Sequence, residues 1–113
     1  MPQVQVNLAA TATFYSLVGL IRGTVGGTAT GPKYPNASPY CREMTIMNNL
    51  ANGSATIALL GSDVSSPTVA KGVKLLLGES LTIRSQQNDI SLVDRGLVTD
   101  TQATLADIIF EVA

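Results

Sequence analysis

Along much of the chain, apolar and polar residues alternate with a period of two. Val4, Val6 and Leu8 fall on one side of the first run and Gln3, Gln5 and Asn7 on the other. Successive side chains of a pleated strand leave opposite faces, so this is the pattern of a half-buried β-strand. The pattern recurs where Met44 and Ile46 alternate with Glu43, Thr45 and Met47, and where Ala55, Ile57 and Leu59 alternate with Thr56 and Ala58. The connector between these two runs, residues 48–54, is rich in Asn and contains Gly53, which predicts an antiparallel hairpin. Turns are expected at Gly61-Ser62-Asp63 and Ser65-Ser66-Pro67. Val73, Leu75 and Leu77 form the next strand, and Gly78-Glu79-Ser80 reverses the chain into Leu81 and Ile83.

A short strand carries Ile90 and Leu92, bounded by Asn88-Asp89 and Asp94-Arg95-Gly96. The last run, Leu105 to Val112, puts Ile108, Phe110 and Val112 on one face and Asp107, Ile109 and Glu111 on the other. An isoleucine opposite the core face predicts that Ile109 meets a partner. Helix is scarce. Residues 8–20 contain Ala9, Ala10 and Ala12, but Thr11, Thr13, Phe14, Tyr15 and Val18 draw the segment toward strand. A helical turn is expected near Thr99 to Leu105, capped by Thr99, Asp100 or Thr101. Short strands at intervals of about 8 to 12 residues indicate an all-β fold, an antiparallel β-sandwich or a jelly-roll-like barrel, in a single domain over residues 1–113.

Residues 23–40 break the pattern. This Gly/Thr/Pro-rich stretch holds Pro32, Pro35 and Pro39, which oppose both helix and interior strand. Structureless loops longer than about 15 residues are uncommon in a compact domain and tend to be functional. Tyr34 and Tyr40 sit among the prolines, and tyrosine supplies contact area at low entropic cost. The segment is expected to be an extended loop, or an arm reaching a neighbouring subunit. Val25, Tyr34, Pro35 and Tyr40, together with Ile109, are the candidate partner-binding residues.

Composition narrows the chemistry. The 113 residues are 45% hydrophobic and only 13% charged, about half the usual charge of a soluble domain, so the surface must be covered by Ser, Thr, Asn, Gln and Gly. Seven basic residues are spread singly and the net charge is -1, which argues against nucleic-acid binding. No run approaches the roughly 20 apolar residues of a membrane helix, and no secretion signal is recognisable at the N-terminus. One cysteine, Cys41, cannot form an internal disulfide, which fits synthesis in a reducing cytoplasm. It reads as a buried apolar side chain.

Without histidine there is no imidazole base and no Ser-His or Cys-His pair. Gly26 and Gly31 have the spacing of a phosphate loop, yet Pro32 stands where that motif needs its lysine. The eight carboxylates are dispersed and read as turn and cap groups. The residues therefore predict no enzyme, no cofactor and no metal.

From Arg42 onward an ordered series of motifs carries a resemblance: Arg42-Glu43-Met44-Thr45-Ile46-Met47-Asn48-Asn49, then Ile57-Ala58-Leu59-Leu60-Gly61-Ser62-Asp63-Val64-Ser65, then Gly72-Val73-Lys74-Leu75-Leu76-Leu77-Gly78-Glu79-Ser80-Leu81-Thr82-Ile83, and the closing strand. This series resembles a family of small tailed-phage virion proteins, in which a strand ending in Asn-Asn leads to one ending in Gly-Ser-Asp-Val and then to a Leu-x-x-Gly-Glu-Ser-Leu hairpin. Residues 1–41 lie outside the resemblance. It implies a β-sandwich that decorates or cements a capsid, with the major capsid protein or another virion protein as partner, and a homo-oligomer with a trimer ahead of a dimer. It also implies a location on the virion. A place in the tail, collar or baseplate, or a carbohydrate-binding module on the virion, are the alternatives.

Overall fold

The structure is a computed structural model that describes residues 2–25, 33–52, 55–85, 89–101 and 104–112. Among the described residues, nine strands and one short α-helix follow in the order β1 (Gln3–Leu8), β2 (Tyr15–Ser16), α1 (Leu17–Arg22), β3 (Tyr40–Asn48), β4 (Ile57–Gly61), β5 (Val73–Leu75), β6 (Ser80–Arg84), β7 (Ile90–Ser91), β8 (Arg95–Thr99) and β9 (Thr104–Val112). They form two antiparallel sheets. The first runs β1-β9-β3-β6, with β7 also paired to β3, and the second runs β2-β8-β4-β5. The fold is all-β, as the alternation predicts.

The inward faces of β1 and β3, and of β9 through Phe110, are those read from the pattern, whereas Val73 and Leu77, read on one face with Leu75, are exposed. Val4, Val6 and Leu8 of β1, Met44 and Ile46 of β3, and Ile108 and Phe110 of β9 are buried in one core with Ile57, Leu59, Leu75 and Leu97 of the second sheet. Truncating a fully buried side chain of this kind costs roughly 3 to 5 kcal/mol for phenylalanine. In β3 the register against β9 shifts between Cys41 and Glu43, and this irregularity lets both Cys41 and Met44 face inward.

Four expectations are corrected. The runs around Met44 and Ile57 do not form a hairpin, because β3 and β4 lie in different sheets. The same holds for β5 and β6, where Gly78-Glu79-Ser80 is a corner between sheets. In place of a helical turn over residues 99–105, Thr99 ends β8 and Thr104 opens β9. The Thr99 hydroxyl accepts from the Thr101 N–H at 3.2 Å and donates to Thr104 Oγ1 at 2.7 Å, and Thr104 donates to the Thr101 carbonyl at 2.6 Å. Threonine hydroxyls that satisfy the backbone locally compete with helix.

The fourth correction concerns residues 8–20, which contain only a two-residue strand before α1. Ser16 caps that helix by accepting from the Gly19 N–H at 3.2 Å. Gly23 ends it in the left-handed region at φ 78°, where a side chain would be strained. Leu17, Leu20 and Ile21 recur at helical spacing and are buried. Tertiary burial of this face outweighs the strand preference of single residues.

Strand β8 went unread because Arg95-Gly96 has the composition of a turn. Gly96 is required there for a different reason: a β-carbon would collide with the Tyr15 carbonyl and come within 2.6 Å of the Phe14 ring. That close approach covers the outer face of the second sheet, where Ala58, Leu60 and Val98 pack under Phe14, Val64 and Val69. The second sheet is thus apolar on both faces, while the outer face of the first carries Gln3, Gln5, Thr45, Thr82 and Glu111.

The corners are joined through Asn48, which is fully buried. Its Nδ2 donates to the Ala55 carbonyl at 2.8 Å and to the Leu75 carbonyl at 2.9 Å. Its backbone N–H donates to the Glu79 carbonyl, and its own carbonyl accepts from the Gly78 N–H, both at 3.0 Å. Asn48→Ala should lower stability by about 2 to 5 kcal/mol, because two buried carbonyls lose their donor. Gly96→Ala should cost about 1 to 3 kcal/mol through the backbone collision. Urea unfolding monitored by circular dichroism, with an unchanged slope and a lower midpoint, is the measurement for both.

Candidate interaction surface

The candidate residues fall into one cluster and three separate sites. Tyr34 and Pro35 come together in an open pocket of about 340 Å³, lined also by Pro2, Lys33, Asn36, Ala37 and Phe110. Its wall is held by local bonds. The Tyr34 N–H donates to the Ile21 carbonyl at 3.1 Å, and the Ala37 N–H donates to the Tyr34 carbonyl at 3.0 Å. From the end of α1, Arg22 Nε donates to the Ala37 carbonyl at 2.9 Å, with Nη2 on the same oxygen. The Tyr34 ring meets Phe110 edge to face, with centroids 5.4 Å apart and planes at 86°. This arrangement suits the quadrupoles of both rings. Tyr34 and Ala37 therefore pack on the chain's own core, while Pro35 stays exposed; of the rest of the expected arm over residues 23–40, Gly23 ends α1, Tyr40 opens β3, and residues 26–32 lie outside the described residues.

Val25, Tyr40 and Ile109 do not line this pocket. Val25 lies against Gly19 beyond the end of α1. Tyr40 opens β3 opposite Ser91 and is half exposed. Ile109 is partly exposed on the outer face of the first sheet, opposite Gln3 and Thr45.

Besides Tyr40 and Val25, several exposed apolar side chains lie outside the set of candidates. Leu50 is 71% exposed, Leu76 55% and Leu77 41%, with Val73 and Val93 also exposed. Leu50 belongs to a short 3-10 turn after β3, and its Cδ2 would lie 2.8 Å from a methyl placed on Gly78. The three leucines therefore share one corner. The signal was present in Leu75-Leu76-Leu77: three consecutive leucines cannot all face one side of a strand. Leu75 is buried, and the chain turns before the next two can follow it.

The charged groups near these surfaces act structurally. Glu79 Oε1 accepts from the Leu76 N–H at 2.6 Å and tightens the corner. Asp107 accepts from Gln5 Nε2 at 3.1 Å and from Asn49 Nδ2 at 2.8 Å, and Asp100 accepts from the Thr56 N–H at 2.9 Å. Glu43 pairs with Arg84 at 3.0 Å on the surface, a contact worth little because Arg84 is well solvated. Among the described residues, no three His, Cys, Asp or Glu side chains come together as a metal site. No helix of the described residues is long and apolar enough to cross a membrane.

Cys41 is buried between Ile90 and Val112 in the first sheet. Burial pushes its thiol up from the ordinary range, Arg95 lowers it, and Asp89 adds to the rise. A raised thiol stays neutral and unreactive at neutral pH. No family model, curated protein or solved structure matches this chain.

Native protein at pH 8 should therefore react with a maleimide far more slowly than protein unfolded in urea, by at least about tenfold, since only the exposed thiolate attacks. Mass spectrometry of the labelled fraction over time checks this. Equal rates in the two states would contradict the burial of Cys41.

Proposed function

We propose that this chain is a non-enzymatic structural protein of a phage virion that decorates or cements the capsid through protein–protein contact. The observation that carries this reading is the placement of exposed apolar side chains at the edges of a rigid two-sheet body of low charge. Leu50, Leu76 and Leu77 project from a corner held by buried hydrogen bonds, so they can be offered to a neighbour without reordering the chain, and Tyr40 is exposed at the start of β3. Burying apolar surface stabilises a contact by about 25 cal/mol per Å², and pre-organised side chains lose little entropy. A standard interface takes about 800 Å² from each partner, a modest part of the 5779 Å² this chain exposes.

The partner class follows from the resemblance of residues 42 onward to small tailed-phage virion proteins and from the polar, weakly charged surface. A capsid presents the same protein surface many times, so one modest contact is multiplied over a shell. The proposed partner is a major capsid protein or another virion protein.

Immuno-electron microscopy tests the reading, using an antibody against the purified chain on phage particles induced from the strain that carries its gene. Regular labelling over the capsid surface is expected. Particles without label, or label confined to the tail, would overturn the capsid assignment.

A further inference from the structure

We propose that copies of this chain join head to tail, the leucine corner of one copy seated in the Tyr34–Phe110 pocket of the next. The corner is made by Leu50, Leu76 and Leu77, all exposed and gathered around Gly78. The pocket is apolar where Tyr34, Pro35 and Phe110 line it, and open to solvent. A cavity of about 150 Å³ holds a benzene ring. The pocket of about 340 Å³ has room for one or two leucine side chains.

The two features lie at different levels of the same strand. Phe110, in the pocket, is opposite Met44 in the middle of β3, and Asn48 at the end of β3 accepts the Gly78 N–H of the leucine corner. These two levels are about 13 Å apart along the strand. A corner and a pocket separated in this way cannot satisfy each other within one molecule. Related by translation or rotation to a second copy, they can.

Charge agrees with this docking. Lys33 is exposed at the pocket, and the Leu76–Glu79 turn carries a single charge, the exposed Glu79. A contact between two different patches is heterologous, so its repetition closes into a ring or runs on as a filament. This self-contact goes beyond the virion assignment and is tested without a virion.

The experiment is sedimentation velocity of the full chain from about 1 μM to about 1 mM, the span over which a weak protein contact fills. The wild type should show mass rising with concentration. Leu76→Ser with Leu77→Ser removes the corner, and Pro35→Glu places a charge at the pocket mouth. Each variant alone should stay monomeric, weakened at least tenfold. Mixed in equal amounts they retain one intact corner and one intact pocket, so a dimer and nothing larger should form.

All three positions are exposed, and a melt followed by circular dichroism confirms that each variant folds. Should either melt early, Leu50→Ser and Asn36→Glu take their places in the same mixture. A wild type that stays monomeric throughout overturns the contact and leaves the capsid reading to its own test. Variants that associate like the wild type, or a mixture that remains monomeric, overturn it as well.

Discussion

Asn48 sits where the two sheets would otherwise come apart. A sandwich whose chain passes repeatedly between sheets leaves backbone carbonyls at its corners without a ladder partner, and a buried carbonyl without a donor costs about 1 to 3 kcal/mol. One amide side chain answers this for two segments of the second sheet, Ala55 before β4 and Leu75 at the end of β5. The backbone of the same residue holds Gly78 and Glu79 at the entrance to β6. Thus the end of β3 and the two corners that change sheet share a single buried polar centre. The Thr99 and Thr104 hydroxyls, with the Thr101 N–H and carbonyl, perform the same service between β8 and β9.

The asymmetry of the sandwich follows. With its corners fixed, the second sheet packs its inner face on the main core and hides Ala58, Leu60 and Val98 under Phe14, Val64 and Val69. The first sheet turns a mixed polar face outward, from Gln3 and Gln5 to Thr45 and Thr82. Helix α1 adds Leu17, Leu20 and Ile21 to the core, and its last residue, Arg22, reaches back to hold the Ala37 carbonyl. Through that bond the helix also shapes the wall that carries Tyr34. The apolar pocket is thus shaped by the end of α1, and the leucine corner by the end of β3.

The acids that a search for chemistry would single out, Asp100, Asp107 and Glu79 among them, are engaged in holding strand ends and turns. Cys41 is a packed side chain whose burial favours the neutral thiol. A rigid body with exposed leucines at a corner and tyrosine at a pocket is suited to meeting other protein surfaces. It is on that physical ground that a structural role is proposed.

Much of this was legible along the chain. The alternation of Val4, Val6 and Leu8, of Met44 and Ile46, and of Ile108 and Phe110 named the strands and their inward faces, because the two-residue period is a property of the extended backbone itself. The absence of histidine and the scattered charge were equally plain. Tyr34 and Pro35 were recognised by residue type, but their union with Phe110 and Pro2 joins positions from distant parts of the chain.

Which strand pairs with which was not legible, since a turn-forming stretch such as residues 48–54 serves a hairpin and a passage between sheets alike. Nor was β8, where Gly96 reads as a turn until Tyr15 and Phe14 are seen pressing on it. Periodicity along one chain thus settled β1, β3, β4 and β9 and the faces they turn to the core. The sheet order, the buried amide of Asn48, and the placing of the leucine corner and the pocket at different levels of β3 were settled only by tertiary structure, because each depends on contacts between segments that local pattern cannot connect.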